Sequence, residues 1–178
     1  MHGAIFMQLK DFVVSHHGLP AWDRMLEMAG QPPMALYLPT QAYPDADAMA
    51  LVKAACDLTG QSADTVLEQF GLFIAPALLK MYAGLVRPEW RTLDLLLNVE
   101  DTIHKVVRRR NPGAEPPELF FSRVDARTLS FRYESKRQMA ALAVGIMKGV
   151  ARHYGETIGI TVTSATPEAT TMQVRLEE

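Results

Sequence analysis

The hydrophobic period of this chain changes at Pro116-Pro117, and that change decides its fold class. Before the prolines, apolar residues recur at helical spacing; after them, they alternate in twos. Ile5, Leu9, Phe12 and Val13 form an amphipathic stripe that ends near Gly18 and Pro20. A short helix from Ala21 buries Trp22, Met25 and Leu26, and the proline-interrupted stretch Gly30–Pro44 reads as a connection. Asp47–Thr59 and Ala63–Phe70 are the next helical patterns, punctuated by Gly60 and Gly71, with Ser62 placed to cap the second. Another helix runs through Leu78, Leu79 and Tyr82, and a long one from about Thr92 to Arg109. Beyond the prolines, Leu119–Ser122 and Thr128–Tyr133 predict two strands joined by a turn at Asp125-Ala126. A helix follows from about Arg137 to His153, then strands carrying Ile158, Ile160 and Val162, and Met172, Val174 and Leu176. The expectation is an α+β fold: a helical N-terminal part, then a C-terminal four-stranded antiparallel sheet with a packed helix.

The chain totals narrow the function. A length of 178 residues suits one domain, expected to span 1–178. A formal net charge of −2 provides no electrostatic case for nucleic acid, whose binders carry a basic excess. Cys56 is the only cysteine, which excludes an internal disulfide and a cysteine-cluster metal site. The most apolar stretch, Phe70 to Val86, is broken by Pro76 and Lys80 and does not read as a membrane span. No basic segment precedes an apolar run at the N-terminus, so a cytoplasmic location is expected.

Two constellations carry chemistry. Leu93, Leu97, His104 and Val107 share one face of the long helix, interrupted by Glu100, so the imidazole points to a core or a pocket. It is then either a core histidine bonded to a carbonyl, or a neutral nitrogen donor to a metal or heme iron. Asp101, one turn earlier, is a carboxylate placed to orient either the imidazole or the helix. The second constellation is Tyr133, Ser135 and Arg137, spaced by two. On an extended chain they leave on one side and present a phenol, a hydroxyl and a guanidinium together. Such a row is either a solvated strand end or a grip for carboxylates, which Arg binds through two parallel hydrogen bonds.

Taken jointly, these residues resemble the H-NOX (heme nitric oxide/oxygen binding) family, related to the heme domain of soluble guanylate cyclase. The start Met1-His2-Gly3-Ala4-Ile5 is similar to the family's Met-x-Gly opening, and Asp101-x-x-His104 resembles its proximal helix. Pro117 resembles the proline that packs on the heme, and Tyr133-x-Ser135-x-Arg137 resembles the propionate-binding signature. The resemblance covers nearly the whole chain. It implies heme b between the two parts of the fold, with iron on His104 and propionates on Tyr133, Ser135 and Arg137.

The resemblance also implies a distal pocket on the helical side. Oxygen-binding members place a tyrosine five residues after the signature arginine, where this chain has Leu142, and other distal polar positions of such members correspond to Leu9 and Ile74, with Ile5 also expected among the heme-binding residues. A pocket without donors favours nitric oxide and CO over O2. Binding of nitric oxide is then expected to weaken the iron–His104 bond and free its helix to signal. The chain shows no kinase or cyclase sequence, so the implied partner is a separate histidine kinase, cyclic-nucleotide enzyme or chemotaxis-type effector. The zinc site of some relatives needs cysteines that this chain lacks. The rival readings are a heme enzyme, such as a peroxidase or nitric-oxide-consuming catalyst, and a heme-free module that binds apolar carboxylates through Arg137. Arg108-Arg109-Arg110 reads as a helix C-terminus favoured by the macrodipole ahead of a docking patch for an acidic partner, and His16-His17 as a solvated helix end ahead of a metal site.

Overall fold

The computed structural model describes residues 1–110 and 115–177. Helices α1 (Gly3–His17), α2 (Leu19–Met28), α3 (Asp45–Thr59) and α4 (Ala63–Met81) come first, and a short 3-10 turn at Ala83–Leu85 follows. Helix α5 (Thr92–Val99) runs through a π-helical turn at Glu100–His104 into α6 (Lys105–Arg110). Strands β1 (Glu118–Arg123) and β2 (Thr128–Glu134), helix α7 (Ala140–His153), and strands β3 (Ile158–Ala165) and β4 (Ala169–Leu176) complete the chain. The four strands form one antiparallel sheet in the order β1-β2-β4-β3. The result is the α+β architecture that the change of period requires.

The alternation along the strands sorts their residues by face. Leu129, Phe131, Tyr133, Met172 and Val174 are buried on one face, where Phe121 stacks on Phe131 at 4.3 Å. Met147 and Ala151 of α7 and Leu93 and Leu96 of α5 belong to the same cluster. The helical part has its own core of Phe6, Phe12, Trp22, Leu51, Phe70 and Ile74, with Tyr37 stacked on Phe6 at 4.4 Å. Helix α7 borders both cores, since Leu142 and Ile146 pack against the helical cluster.

Three local expectations change. The patterns separated at Gly71 are one continuous helix, α4, which also carries Pro76. Gly71 is not a terminus because it lies where α4 crosses α7. A Cβ added there would stand 2.8 Å from the Ile146 backbone nitrogen, and one at Gly145 would stand 2.9 Å from the Gly71 Cα. Only hydrogens at these positions allow so close an approach. Helix α7 starts at Ala140 rather than near Arg137, because Gln138 takes a left-handed φ of 52° and its N–H donates to the Ser135 carbonyl at 3.1 Å. The long helix runs from Thr92 to Arg110 but is α-helical only at its two ends. The Ser62 cap forms as its spacing suggests, accepting the Thr65 N–H at 3.2 Å. Among the described residues, no helix is long and apolar enough to cross a membrane.

Candidate functional site

His104 closes the π-helical turn, a feature that recurs at functional positions because it displaces side chains from regular helical register. Its side chain is 16% exposed. Its Nδ1 lies 2.9 Å from Glu100 Oε2, and the ring also meets the Pro117 backbone carbonyl. Burial pushes the imidazole below its ordinary pKa, against the opposing pull of the Glu100 carboxylate. The carboxylate on the imidazole is therefore Glu100 and not Asp101, which is exposed. A side chain four residues back meets the ring here, whereas the Glu100 position had read as a break in the apolar stripe. Glu100 Oε1 also pairs with Arg108 Nη2 at 2.6 Å, so Arg108 acts within this cluster rather than only at a helix end.

The Tyr133, Ser135 and Arg137 side chains do not form one straight row. Strand β2 ends at Glu134, and Ser135 and Arg137 lie in the turn that follows. Tyr133 is buried and, with Ser135, lines a cleft of about 160 Å³ closed by Gln138 and residues 166–170. Burial raises the phenol above its ordinary pKa, opposed by hydrogen bonds from Ser135 and the Met139 N–H. The Ser135 hydroxyl also accepts the Arg137 N–H at 3.2 Å.

The Arg137 guanidinium turns toward the helical part. Its Nη1 donates to the Glu115 carbonyl, and its Nε stands 2.8 Å from Asp45 Oδ2. That Nε is buried and has no aligned acceptor, so the contact with Asp45 is an ion pair, not a directed hydrogen bond. Asp45 Oδ1 accepts from the Met1 ammonium at 2.7 Å, and the same ammonium donates to the Tyr43 carbonyl at 2.5 Å. Burial alone would raise the Asp45 pKa, but Arg137 and the ammonium together hold it below the ordinary value. Nothing in the local sequence marks Asp45 or the Met1 ammonium, because their partner lies far along the chain.

Ile5, Leu9 and Leu142 line one cavity with Met1, Phe6, Ala48, Val52, Leu67, Phe70 and Met139. At about 20 Å³ it has room for one water-sized guest. Every lining side chain is apolar, and the Met1 ammonium is directed to Tyr43 and Asp45. Ile74 belongs to the same core, fully buried, but does not line the cavity. His16 sits at an exposed helix end, with Nδ1 2.8 Å from the Phe12 carbonyl. Among the described residues, no group of three or more His, Cys, Asp or Glu is placed to hold a metal ion.

These residues fit a flat apolar dicarboxylate that carries a metal. Within Glu100–Arg110 no residue is fully buried: Ile103 packs against the cluster of Trp90, Leu95 and Val150, and Val106 is half-buried on the helix that bears His104. The donors for carboxylates are Tyr133, Ser135 and the under-satisfied Arg137.

A family profile described as Haem-NO-binding matches residues 2–162. The fold is similar to that of an H-NOX protein from S. oneidensis in the Fe(II)NO ligation state, with a TM-score of 0.92, 22% identity and complete coverage of both chains. It is similar to a Fe(II) unliganded H-NOX protein from K. algicida, with a TM-score of 0.91, 22% identity, and 100% of this chain and 97% of that one covered. A mutant of T. Tengcongensis H-NOX gives a TM-score of 0.86 at 17% identity, covering 100% and 98% of the two chains. No curated protein matches.

Proposed function

Since the chain belongs to the haem-NO-binding (H-NOX) family, whose members are heme-binding gas-sensor domains, we propose that it senses nitric oxide and CO and excludes O2. His104 holds the iron of a heme b, and Tyr133, Ser135 and Arg137 hold the propionates. When bound, the ferrous heme supplies one open coordination face for a diatomic gas. The residues 1–178 act as one sensing unit for a separate effector, such as a histidine kinase, a cyclic-nucleotide enzyme or a chemotaxis-type protein.

The observation that carries the selectivity is the lining of the distal cavity. Bound oxygen is polar and is stabilised by a hydrogen-bond donor, which nitric oxide and CO need far less. Ile5, Leu9 and Leu142 supply no N–H or O–H, and the one cationic group among the lining residues is committed to Tyr43 and Asp45. The element that transmits the signal is the helix of His104, because its stretch from Glu100 to Arg110 has no fully buried residue, unlike α4 and α7. Asp45 joins the helical part to Arg137, so a shift of that part is felt at the propionate grip.

Absorption spectra of the reduced protein test this reading. A ferrous Soret band that moves with nitric oxide and with CO but not in air is the expected result. A stable oxy complex in air overturns the selectivity, and a protein that takes up no hemin overturns the heme reading.

A further inference from the structure

Glu100 is the most engaged carboxylate beside the proposed iron ligand. Its Oε2 lies 2.9 Å from His104 Nδ1 and accepts the Leu119 N–H at 3.3 Å. Its Oε1 pairs with Arg108 Nη2 at 2.6 Å. The two side chains stand four apart, as neighbours on one helix face do: Glu100 and His104 begin and end the π turn, and the Lys105 N–H donates back to the Glu100 carbonyl. The Glu100 side chain is 28% exposed, so these contacts form at a largely shielded position.

We infer that Glu100 is the positioning residue for His104, setting both the tautomer and the donor strength of its ring. The inference rests on His104 being the iron ligand. A neutral imidazole has one N–H. The ring meets two acceptors, the Glu100 carboxylate at Nδ1 and the Pro117 carbonyl; with the proton on Nδ1 and donated to the charged one, the Nε2 lone pair is left for a metal. A charged acceptor at Nδ1 also makes the ring a stronger donor than a backbone carbonyl would. Leu119 adds orientation, since it ties the carboxylate to β1, two residues beyond Pro117. Arg108 moderates the negative charge and holds the second oxygen. Glu100 thereby connects the ring to the helix on one side and to the sheet on the other.

The test uses Glu100→Gln and Glu100→Leu in the heme-loaded protein, with nitrogen-15 NMR of the His104 ring in the heme-free protein. Gln keeps an acceptor without charge; Leu removes both. The expected result is a downshifted ferrous iron–histidine stretch in the resonance Raman spectrum, small for Gln and larger for Leu. The Leu variant should also lose heme 10–100-fold more readily, the usual effect of removing a ligand's hydrogen-bond partner. In the heme-free protein, the ring proton should sit on Nδ1 in the parent and lose that preference in the Leu variant. An iron–histidine stretch that is present in the parent and unmoved in both variants overturns the role of Glu100 while leaving His104 as ligand. A parent with no such stretch counts against His104 as ligand, and the inference falls with it. Circular dichroism of both variants verifies that they fold, and Gln is the variant that preserves the local packing.

Discussion

The crossing of α4 and α7 sets a stability prediction that does not depend on heme. In Gly145→Ala, the new Cβ would stand 2.8 Å from the Glu68 carbonyl carbon and 2.9 Å from the Gly71 Cα, with the Glu68 oxygen nearer still. Carbon atoms prefer about 3.5–4.0 Å, so the contact is repulsive. All of the opposing atoms are backbone, and no rotamer change relieves them. The two helices must separate, which loosens Lys148 Nζ from Glu68 Oε1, now at 2.6 Å, and opens the α7 contact with both cores. Overpacking costs about 1–3 kcal/mol, and a backbone clash belongs at the upper end. The better helix propensity of alanine returns up to about 1 kcal/mol. The net loss is then about 2 kcal/mol, or roughly 4–8 °C in melting temperature for a chain of this size. Thermal melts of the heme-free protein measure it. Gly84→Ala is the control, since nothing lies within 4 Å of a Cβ there. A Gly145→Ala protein that melts with its parent, or above it, refutes the packing argument.

Three further outcomes are expected. Asp45→Asn removes two ion pairs, with Arg137 and with the Met1 ammonium, at a side chain that is 43% exposed, so it should cost roughly 0.2–1 kcal/mol for each at neutral pH. Because folding lowers the Asp45 pKa, that stabilisation is complete above the unfolded carboxylate value of about 3.9 and fades as the pH falls through the lower folded value; denaturant melts at pH 7 and below pH 4 should show the gap between parent and variant closing. Leu142→Tyr places a hydroxyl on a residue that lines the apolar cavity, and should give the reduced protein an oxy complex that the parent does not form, as read by absorbance after mixing with air-saturated buffer. His104→Gly with imidazole added back should bind nitric oxide without the ligand-linked conformational change of the parent, which hydrogen exchange over residues 92–110 detects.

The fold was legible because its two halves carry different periods, and no tertiary contact is needed to see them. His104 and the Tyr133, Ser135, Arg137 spacing were legible as residue types at fixed intervals. What escaped were relations between distant segments. Glu100 looked like a fault in an apolar stripe because a stripe assigns each residue to a face and says nothing of a carboxylate bent back along its own helix. The π turn between Glu100 and His104 has no signature in composition. Asp45 escaped because its partner stands in a turn that only the folded sheet brings near α3. Gly71 misled for a similar reason: glycine marks both helix ends and tight crossings, and only the opposing Gly145 distinguishes them.

Two carboxylates thus hold the two ends of the proposed heme site, and their networks have no residue in common. Asp45 engages Met1 and Arg137, and Arg137 in turn engages Ser135 and Glu115. Glu100 engages His104, Arg108 and Leu119. Substitutions at sites without shared partners add to within about 0.5 kcal/mol. In the heme-free protein, the combined Asp45→Asn and Glu100→Gln variant should therefore lose the sum of the two single losses. On the proposed site one heme would join His104 to Arg137 in the loaded protein, and the same cycle should then acquire a coupling energy above that limit. Denaturant melts of the four proteins with and without heme measure both cycles. Equal additivity in the two states would mean that His104 and Arg137 do not hold the same guest.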